Sequence, residues 1–258
     1  MLPDDLAVHL RAARFGGQAA PFDVRWLPST TSTMDEASRL AHEGAPHGVV
    51  VVADEQTSGR GRRGTIWASP PGAGLYFSFI ARPSLPELSL LTLTAGVAVR
   101  EGIAAATGLA VDLKWPNDLI IGRRKLAGIL AEGIAIGSRD QVVIIGVGVN
   151  VQPAAYPPEV AARATSLEGE LTRAIDRGLL LSRILIALWD RLAMLDQRPG
   201  DILQAWRAAS PNASGTRVEW DGKHGTTAGI DDRGALLVRT DAGVERIIAG
   251  ELNWHLGT

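Results

Sequence analysis

The chain has no cysteine in its 258 residues. Disulfides, thiolate zinc ligands and a cysteine nucleophile are thereby excluded. Its five histidines are scattered and form neither H-E-x-x-H nor a comparable metal-ligating spacing. Neither sign of charge dominates: 26 basic residues against 28 acidic ones leave a net charge of −2, which argues against bulk binding of nucleic acid. The opening Met-Leu-Pro-Asp-Asp-Leu is acidic and lacks the basic-then-apolar layout of a signal peptide. Apolar runs such as 126–136 are interrupted by glycine and too short to span a bilayer. A cytoplasmic protein with no membrane partner is expected. Lysine is the scarcest charged residue, present only as Lys114, Lys125 and Lys223. Arginine is the default cation, so a lysine marks a place where a compact ammonium suits better than a planar fork.

What is present is enough for a large core. Apolar residues make up 46% of the chain, and the length fits one large domain or one domain with a small module. The pattern predicts a helix over 4–14 and a strand over 23–27. A capping box Thr33-Met-Asp-Glu36 opens a helix ending near Gly44. Strands are expected at 49–52 and, with one apolar face, at 75–81. A second capping box, Ser84-Leu-Pro-Glu87, opens a long apolar helix that stops at Gly108. Strands follow at 111–115, 118–121, 126–135 and 141–151, then a proline-broken loop over 152–166. A helix over 172–196 presents Leu179, Ile186, Leu188 and Leu192, and another covers 201–209. After Ser210-Pro211-Asn212 short strands at 216–220, 226–230, 235–240 and 244–248 alternate with turns. They suggest a small barrel that leans on the main domain. The boundary falls between a domain of 1–210 and a module of 211–258.

Residues 58–69 read S-G-R-G-R-R-G-T-I-W-A-S. Gly59, Gly61 and Gly64 fit G-x-G-x-x-G, with Arg60, Arg62 and Arg63 between them. A dinucleotide fingerprint needs a helix directly after the turn, and Thr65-Ile-Trp-Ala-Ser-Pro-Pro cannot supply one. A Walker A loop fails for want of Gly-Lys-Ser/Thr. Two readings remain: a flexible cationic loop that forks onto phosphate or carboxylate, and a solvated basic turn. On the first, the guanidiniums repel one another when empty, so the loop is expected to be mobile and to close over a polyanion.

Lys114-Trp-Pro-Asn-Asp118 and Lys125-Leu-Ala-Gly-Ile-Leu-Ala-Glu132 read as two arms of a hairpin. Lys114 and Lys125 approach one another across it only if an anion lies between them. Asp118 can hold a Mg²⁺ that bridges triphosphate oxygens. The plainer alternative is ordinary turn chemistry with two surface lysines. In Gly146-Val-Gly-Val-Asn150, glycine inside a strand signals close approach by a ligand or another backbone, and Asn150 can read a base or ribose. A twisted buried strand is the alternative.

Taken in order, these four motifs resemble those of the biotin protein ligases, from about residue 24 to the end. The resemblance implies a two-step activity. Biotin and ATP, with Mg²⁺, give biotinyl-5′-adenylate and pyrophosphate; the adenylate then acylates one lysine of a biotin carboxyl carrier protein. It implies an α+β fold, a mixed and largely antiparallel sheet backed by helices as in class II aminoacyl-tRNA synthetases and biotin synthetases, with a C-terminal SH3-like barrel. It implies biotin-binding roles for Ser32, Thr33, Met34, Gln56, Arg60, Gly61, Arg62, Lys125, Gly128 and Leu130. Lys125, Arg60 and Lys114 would be the catalytic cations. Arg62, Trp67, Lys114, Asn117 and Asn150 would meet the nucleotide, and Asp118 the metal. Met34 departs from the family's usual Asn. The family's other implications are a homodimer joined by sheet edges and, with a single helix ahead of Ser32, the ligase-only form without a DNA partner. A lipoate or octanoate ligase or transferase of related fold is the alternative enzyme.

Overall fold

The computed structural model describes residues 2–12, 14–15, 18–19, 21–84, 88–135, 141–250 and 252–255. Helix α1 (Asp4–Ala12) and a minimal hairpin, β1 (Arg14–Phe15) with β2 (Gln18–Ala19), precede the main sheet. That sheet has seven strands in the order β3 (Asp23–Thr30), β4 (Val49–Gln56), β5 (Gly74–Ala81), β9 (Val142–Asn150), β8 (Arg124–Ile134), β7 (Asp118–Ile121), β6 (Asp112–Lys114). Only β3 and β4 are parallel, joined by helix α2 (Thr33–His42); every other pair is antiparallel. A parallel pair needs such a crossover, whereas the rest can be hairpins or longer antiparallel returns.

Both faces of the sheet are covered. Helix α2 packs Met34, Ala37 and Leu40 against Val49, Val51, Ile80 and Ile144 on one face. Helices α3 (Leu88–Thr107) and α5 (Arg177–Gln197) cover the other, against Phe77, Phe79, Ile145 and Val147. Strand β5 is therefore buried at every position rather than on a single face as the sequence suggested. Helix α3 has the length and apolar composition of a membrane span, which the sequence reading of short apolar runs missed, but most of it lies buried in this core. It stops at Gly108 as expected; the glycine sits at φ +80° and its N–H returns to Ala104 O at 2.8 Å. The second capping box cannot be placed, because residues 85–87 lie outside the described ones.

The first capping box is shifted by one residue. Ser32 is the N-cap, with its Oγ accepting from Met34 N at 3.3 Å, while Thr33 enters the helix and bonds elsewhere. The helix expected from 172 starts later, at Arg177, and a short helix that was not expected precedes it. Short helix α4 (Leu167–Leu171) ends at Thr172 in the left-handed region, and α5 starts behind Asp176, whose Oδ1 accepts from Leu179 N. The buried stripe of α5 runs Leu181, Ile184, Leu185, Leu188, Leu192 and Leu195; Leu179 and Ile186 are only half-buried.

Helices α3 and α5 meet in close contact at Gly102. A Cβ built there stands 2.5 Å from the Ile184 Cα and 2.7 Å from its backbone N. Backbone cannot rotate away as a side chain can. Gly102→Ala is expected to destabilise the protein by about 1–3 kcal/mol, the usual size of overpacking, read as a lower thermal midpoint.

His47 sits between Trp189 and Phe79, with ring centroids 4.6 and 5.3 Å away, and its Nδ1 accepts from Arg82 N at 3.2 Å. Burial holds its pKa below the ordinary 6.5; Asp196 opposes that shift and Arg82 adds to it. The folded state thus binds the proton less readily than the unfolded chain. The stability tied to a neutral His47 is complete above the unfolded value of about 6.5 and is lost as pH falls below it toward the lower folded value. The thermal midpoint should drop through that window, and His47→Gln should flatten the drop.

Helix α6 (Pro199–Ala208) and a 3₁₀ turn lead into a five-stranded antiparallel sheet, ordered β13 (Gly243–Ile247), β12 (Leu236–Thr240), β11 (Lys223–Ile230), β10 (Ser214–Trp220), β14 (Asn253–His255). The sequence missed β14. The module shares the main core: Val218, Trp220, Leu236 and Val238 join the cluster that holds Leu93. Trp115 Nε1 donates to Gly234 O at 3.0 Å, and Arg207 to Ile230 O at 2.9 Å.

Candidate active site

One cavity of about 760 Å³ opens on the β8–β9 side of the sheet, and the arginine loop, the Lys114–Lys125 hairpin, the 152–166 loop and β14 all line it. That volume suits a ligand with both a ring and a charged tail. Of the side chains expected at the site, all but Ser32 line the wall. Ser32 is fully buried and spends its hydroxyl on the N-cap.

The floor is made by two glycines. Gly128 on β8 pairs with Gly148 on β9. The indole of Trp67 lies over both: a Cβ at Gly128 would stand 2.9 Å from its Cζ3, and one at Gly148 2.4 Å from its Nε1. Only glycine lets the ring approach this closely. Trp67 Nε1 is buried with no hydrogen-bond partner among the described residues. An unmet buried donor is costly unless something accepts from it.

A polar relay sets the ring's position. Thr33 N and Oγ1 donate to Gln56 Oε1 at 2.8 and 3.0 Å, and Ser78 Oγ donates to Thr33 Oγ1 at 2.8 Å. Gln56 Nε2 donates to Ser69 Oγ at 2.8 Å, which donates to Trp67 O at 3.1 Å. The Gln56 amide is therefore fixed on both ends by protein while the residue still lines the cavity. Met34 faces the same space: a Cβ at Gly146 would stand 2.5 Å from its Sδ.

The hairpin places its charges as the spacing suggested, with one change. Lys114 pairs with Asp118 in the ladder, and a bulge after Leu119 turns Lys125 toward the same carboxylate. Lys125 Nζ lies 2.6 Å from Asp118 Oδ1. The oxygen is buried and the contact is an ion pair without hydrogen-bond alignment. The anion between the two lysines is thus the protein's own Asp118. Burial lowers the pKa of Lys114; Asp118 counters that and Lys125 reinforces it. Both ammoniums also face indoles, Lys125 over Trp67 at 5.3 Å and Lys114 over Trp254 at 5.8 Å from the ring centroids. The Trp115–Pro116 peptide between them is cis.

The arginine loop carries no α-helix, only a 3₁₀ turn over Arg62–Gly64 with Arg63 at φ +54°. The sequence reading expected guanidiniums that repel one another for want of a ligand; instead protein groups hold those of Arg60 and Arg62. Arg60 bonds Asp35 at 2.8 Å and Glu132 at 2.6 Å. Arg62 donates to Asn117 Oδ1 at 3.2 Å, and Asn117 in turn is fixed to Ile129 through both its side chain and its backbone. Asn150 is 4% exposed and donates from Nδ2 to Thr165 O at 3.0 Å and Lys125 O at 3.4 Å, so it braces the hairpin while lining the cavity.

Asp35, Glu132, Ser69 and the β14 residues Asn253 and Trp254 were not expected at the site. Among the described residues, no three His, Asp or Glu side chains gather closely enough to cage a metal alone. Asp118 Oδ1 is taken by Lys125 at 2.6 Å, so the carboxylate fits a Mg²⁺ only through its other oxygen, with phosphates and water as the remaining ligands.

The profile of the biotin/lipoate A/B protein ligase family matches residues 26–150, and that of the biotin protein ligase C terminal domain matches 221–252. The bifunctional ligase/repressor BirA of Bacillus subtilis is 38% identical over 231 residues, 86% of this chain and 71% of that protein. The biotin–[acetyl-CoA-carboxylase] ligase of Paracoccus denitrificans is 36% identical over 88% of this chain and 98% of its own length. Among solved structures, a biotin protein ligase from Aquifex aeolicus in complex with biotin and ATP superposes with a TM-score of 0.78 at 30% identity, covering 91% of this chain and 99% of that one.

Proposed function

We infer how the cavity works from one premise: the chain belongs to the biotin/lipoate A/B protein ligase family, as a biotin protein ligase that uses ATP. The observation that carries the mechanism is that Arg60, Arg62, Lys114 and Lys125 meet in one cavity floored by Gly128 and Gly148.

Joining biotin to AMP brings a carboxylate up to an α-phosphate, two anions that repel. A carboxylate oxygen forms the new bond to phosphorus and pyrophosphate leaves. Lys125 is placed to sit between the two and offset their charge, most strongly where charge gathers in the transition state. Lys114 and Asn117 lie on the side the departing pyrophosphate would take, and Arg62 beside them. Arg60, held by Asp35 and Glu132, is positioned at the carboxylate end. Thr33, Met34, Gly61, Gly128 and Leu130 enclose biotin's rings, and Gln56 and Ser32 hold that wall from behind. Trp67 contributes a stacking face and its unmet N–H. Asp118 would hold Mg²⁺ with the phosphates; when bound, the metal offsets charge on the leaving group. In the second step the lysine amine of a carrier protein attacks the mixed-anhydride carbonyl and AMP leaves.

The same reading makes the carrier the biotin carboxyl carrier protein of a biotin-dependent carboxylase, met in the cytoplasm. It allows a homodimer through a sheet edge. Incubation with biotin, ATP, Mg²⁺ and a carrier domain should raise the carrier's mass by one biotinyl group. A mass gain with lipoate in place of biotin would favour the other branch of the family instead.

A further inference from the structure

Lys125 is gripped from both sides of its backbone. Its N–H donates to Arg163 O at 2.7 Å, and its carbonyl accepts from Thr165 N at 2.9 Å, a single-residue parallel bridge to the 152–166 loop. Asn150 closes the bridge by donating to both Lys125 O and Thr165 O. One further side chain acts on each flank. Glu170 Oε1 accepts from Thr165 Oγ1, and the same oxygen accepts from Arg124 at 2.7 Å. Arg124 precedes Lys125, and Thr165 follows Ala164, the residue across the bridge from it. Glu170 is mostly buried, with its side chain 16% exposed. It sits on α4, whose cap Ser166 accepts from Gly169 N at 3.3 Å, so the carboxylate rides on a short, self-capped turn rather than a loose loop.

We propose that Glu170 is a positioning residue for the adenylation step. It ties the residue before Lys125 to Thr165, whose N–H holds the Lys125 carbonyl, and so fixes both the ammonium's anchor and the cavity wall formed by Ala155, Tyr156, Pro157, Val160 and Arg163. The proposal rests on the biotin ligase reading and deepens it. Glu170 is too far along the chain from every motif to be found by spacing. It touches no residue assigned to biotin's rings, so its loss should leave biotin affinity alone. Catalysis that depends on a fixed charge is sensitive to small displacements of that charge.

The test compares Glu170→Ala, Glu170→Gln, Thr165→Val and the Glu170→Ala/Thr165→Val double variant. In Glu170→Ala the kcat for adenylate formation should fall on the order of 10–100-fold, with the Kd for biotin by calorimetry unchanged. Glu170→Gln keeps an acceptor oxygen and should recover most of the rate. Thr165→Val keeps the shape, removes the hydroxyl, and should reproduce the loss; the double variant should be no worse than Glu170→Ala, since both break one coupled contact. Amide exchange read in the same proteins should speed up at Lys125 and Thr165 and not at Val147 in the neighbouring strand. A Glu170→Ala rate within twofold of the parent, additive losses in the double variant, or unchanged exchange at Lys125 overturns the proposal. The exchange readout decides it even in a protein that forms no adenylate, an outcome that would instead refute the functional reading.

Discussion

Replacing Lys125 with alanine is expected to slow biotinyl-adenylate formation by on the order of 10²–10³-fold, the loss that follows removal of one preorganised charge contact. The side chain is held by Asp118, by the Trp67 ring and by a doubly bonded backbone. Its ammonium therefore does little reorganising when a carboxylate and a phosphate arrive. The fold should be nearly indifferent, because the side chain is 36% exposed and lies at a strand's edge rather than in the core. Lys125→Arg should not rescue the rate: a planar fork cannot occupy the compact site between Asp118 and the indole. Transfer from chemically prepared adenylate to a carrier domain should suffer less than adenylation, since no second anion has to be brought in. Single-turnover rates for the two half-reactions separate these outcomes, and an adenylation rate like the parent's would show the lysine to be misassigned.

The second large effect is expected at the glycine floor. In Gly148→Ala the new methyl stands 2.4 Å from Trp67 Nε1. The indole cannot yield by a small rotation, because Ser69 and Gly59 hold the Trp67 backbone and Lys125 lies over its ring. The ring must leave the shelf. Biotin affinity should fall on the order of 10–100-fold, equivalent to about 1–3 kcal/mol of overpacking, with the thermal midpoint changed little. Gly146→Ala is the contrast. Its methyl meets the Met34 thioether, a flexible chain with several ways to move, and a smaller loss should follow. Calorimetric titration of both variants with biotin tests the pair. Equal losses would mean that Trp67 is not what the floor is shaped for.

How much of this was legible in the sequence depends on distance along the chain. The stop at Gly108, the strand runs and the Lys114–Lys125 hairpin are local signals, and each lands within a few residues of its element. The cap of α2 is local too, yet it was placed one residue late, because Ser32 and Thr33 are both good caps and the choice is settled by Gln56, which draws Thr33 away. Helix α4 was not expected and α5 starts later than 172, because Thr172 closes α4 in a left-handed conformation that threonine seldom takes and no composition rule marks. The partners of Arg60 lie 25 and 72 residues away, and Trp254 reaches Lys114 from the far end of the chain. Such pairings are products of the fold, and no spacing rule predicts them. The cations themselves were visible as motifs, and so was Asp118; that Asp35 and Glu132 hold Arg60 was not.

The central claim is that cations from the arginine loop and the lysine hairpin serve one cavity in which a biotin carboxylate meets the α-phosphate of ATP. Adenylation is reversible, so the most direct measurement is exchange of labelled pyrophosphate into ATP, with and without biotin. The account predicts exchange that requires biotin and is nearly lost in Lys125→Ala. Exchange that proceeds equally without biotin, or none from the intact protein with biotin, ATP and Mg²⁺ all present, would contradict it.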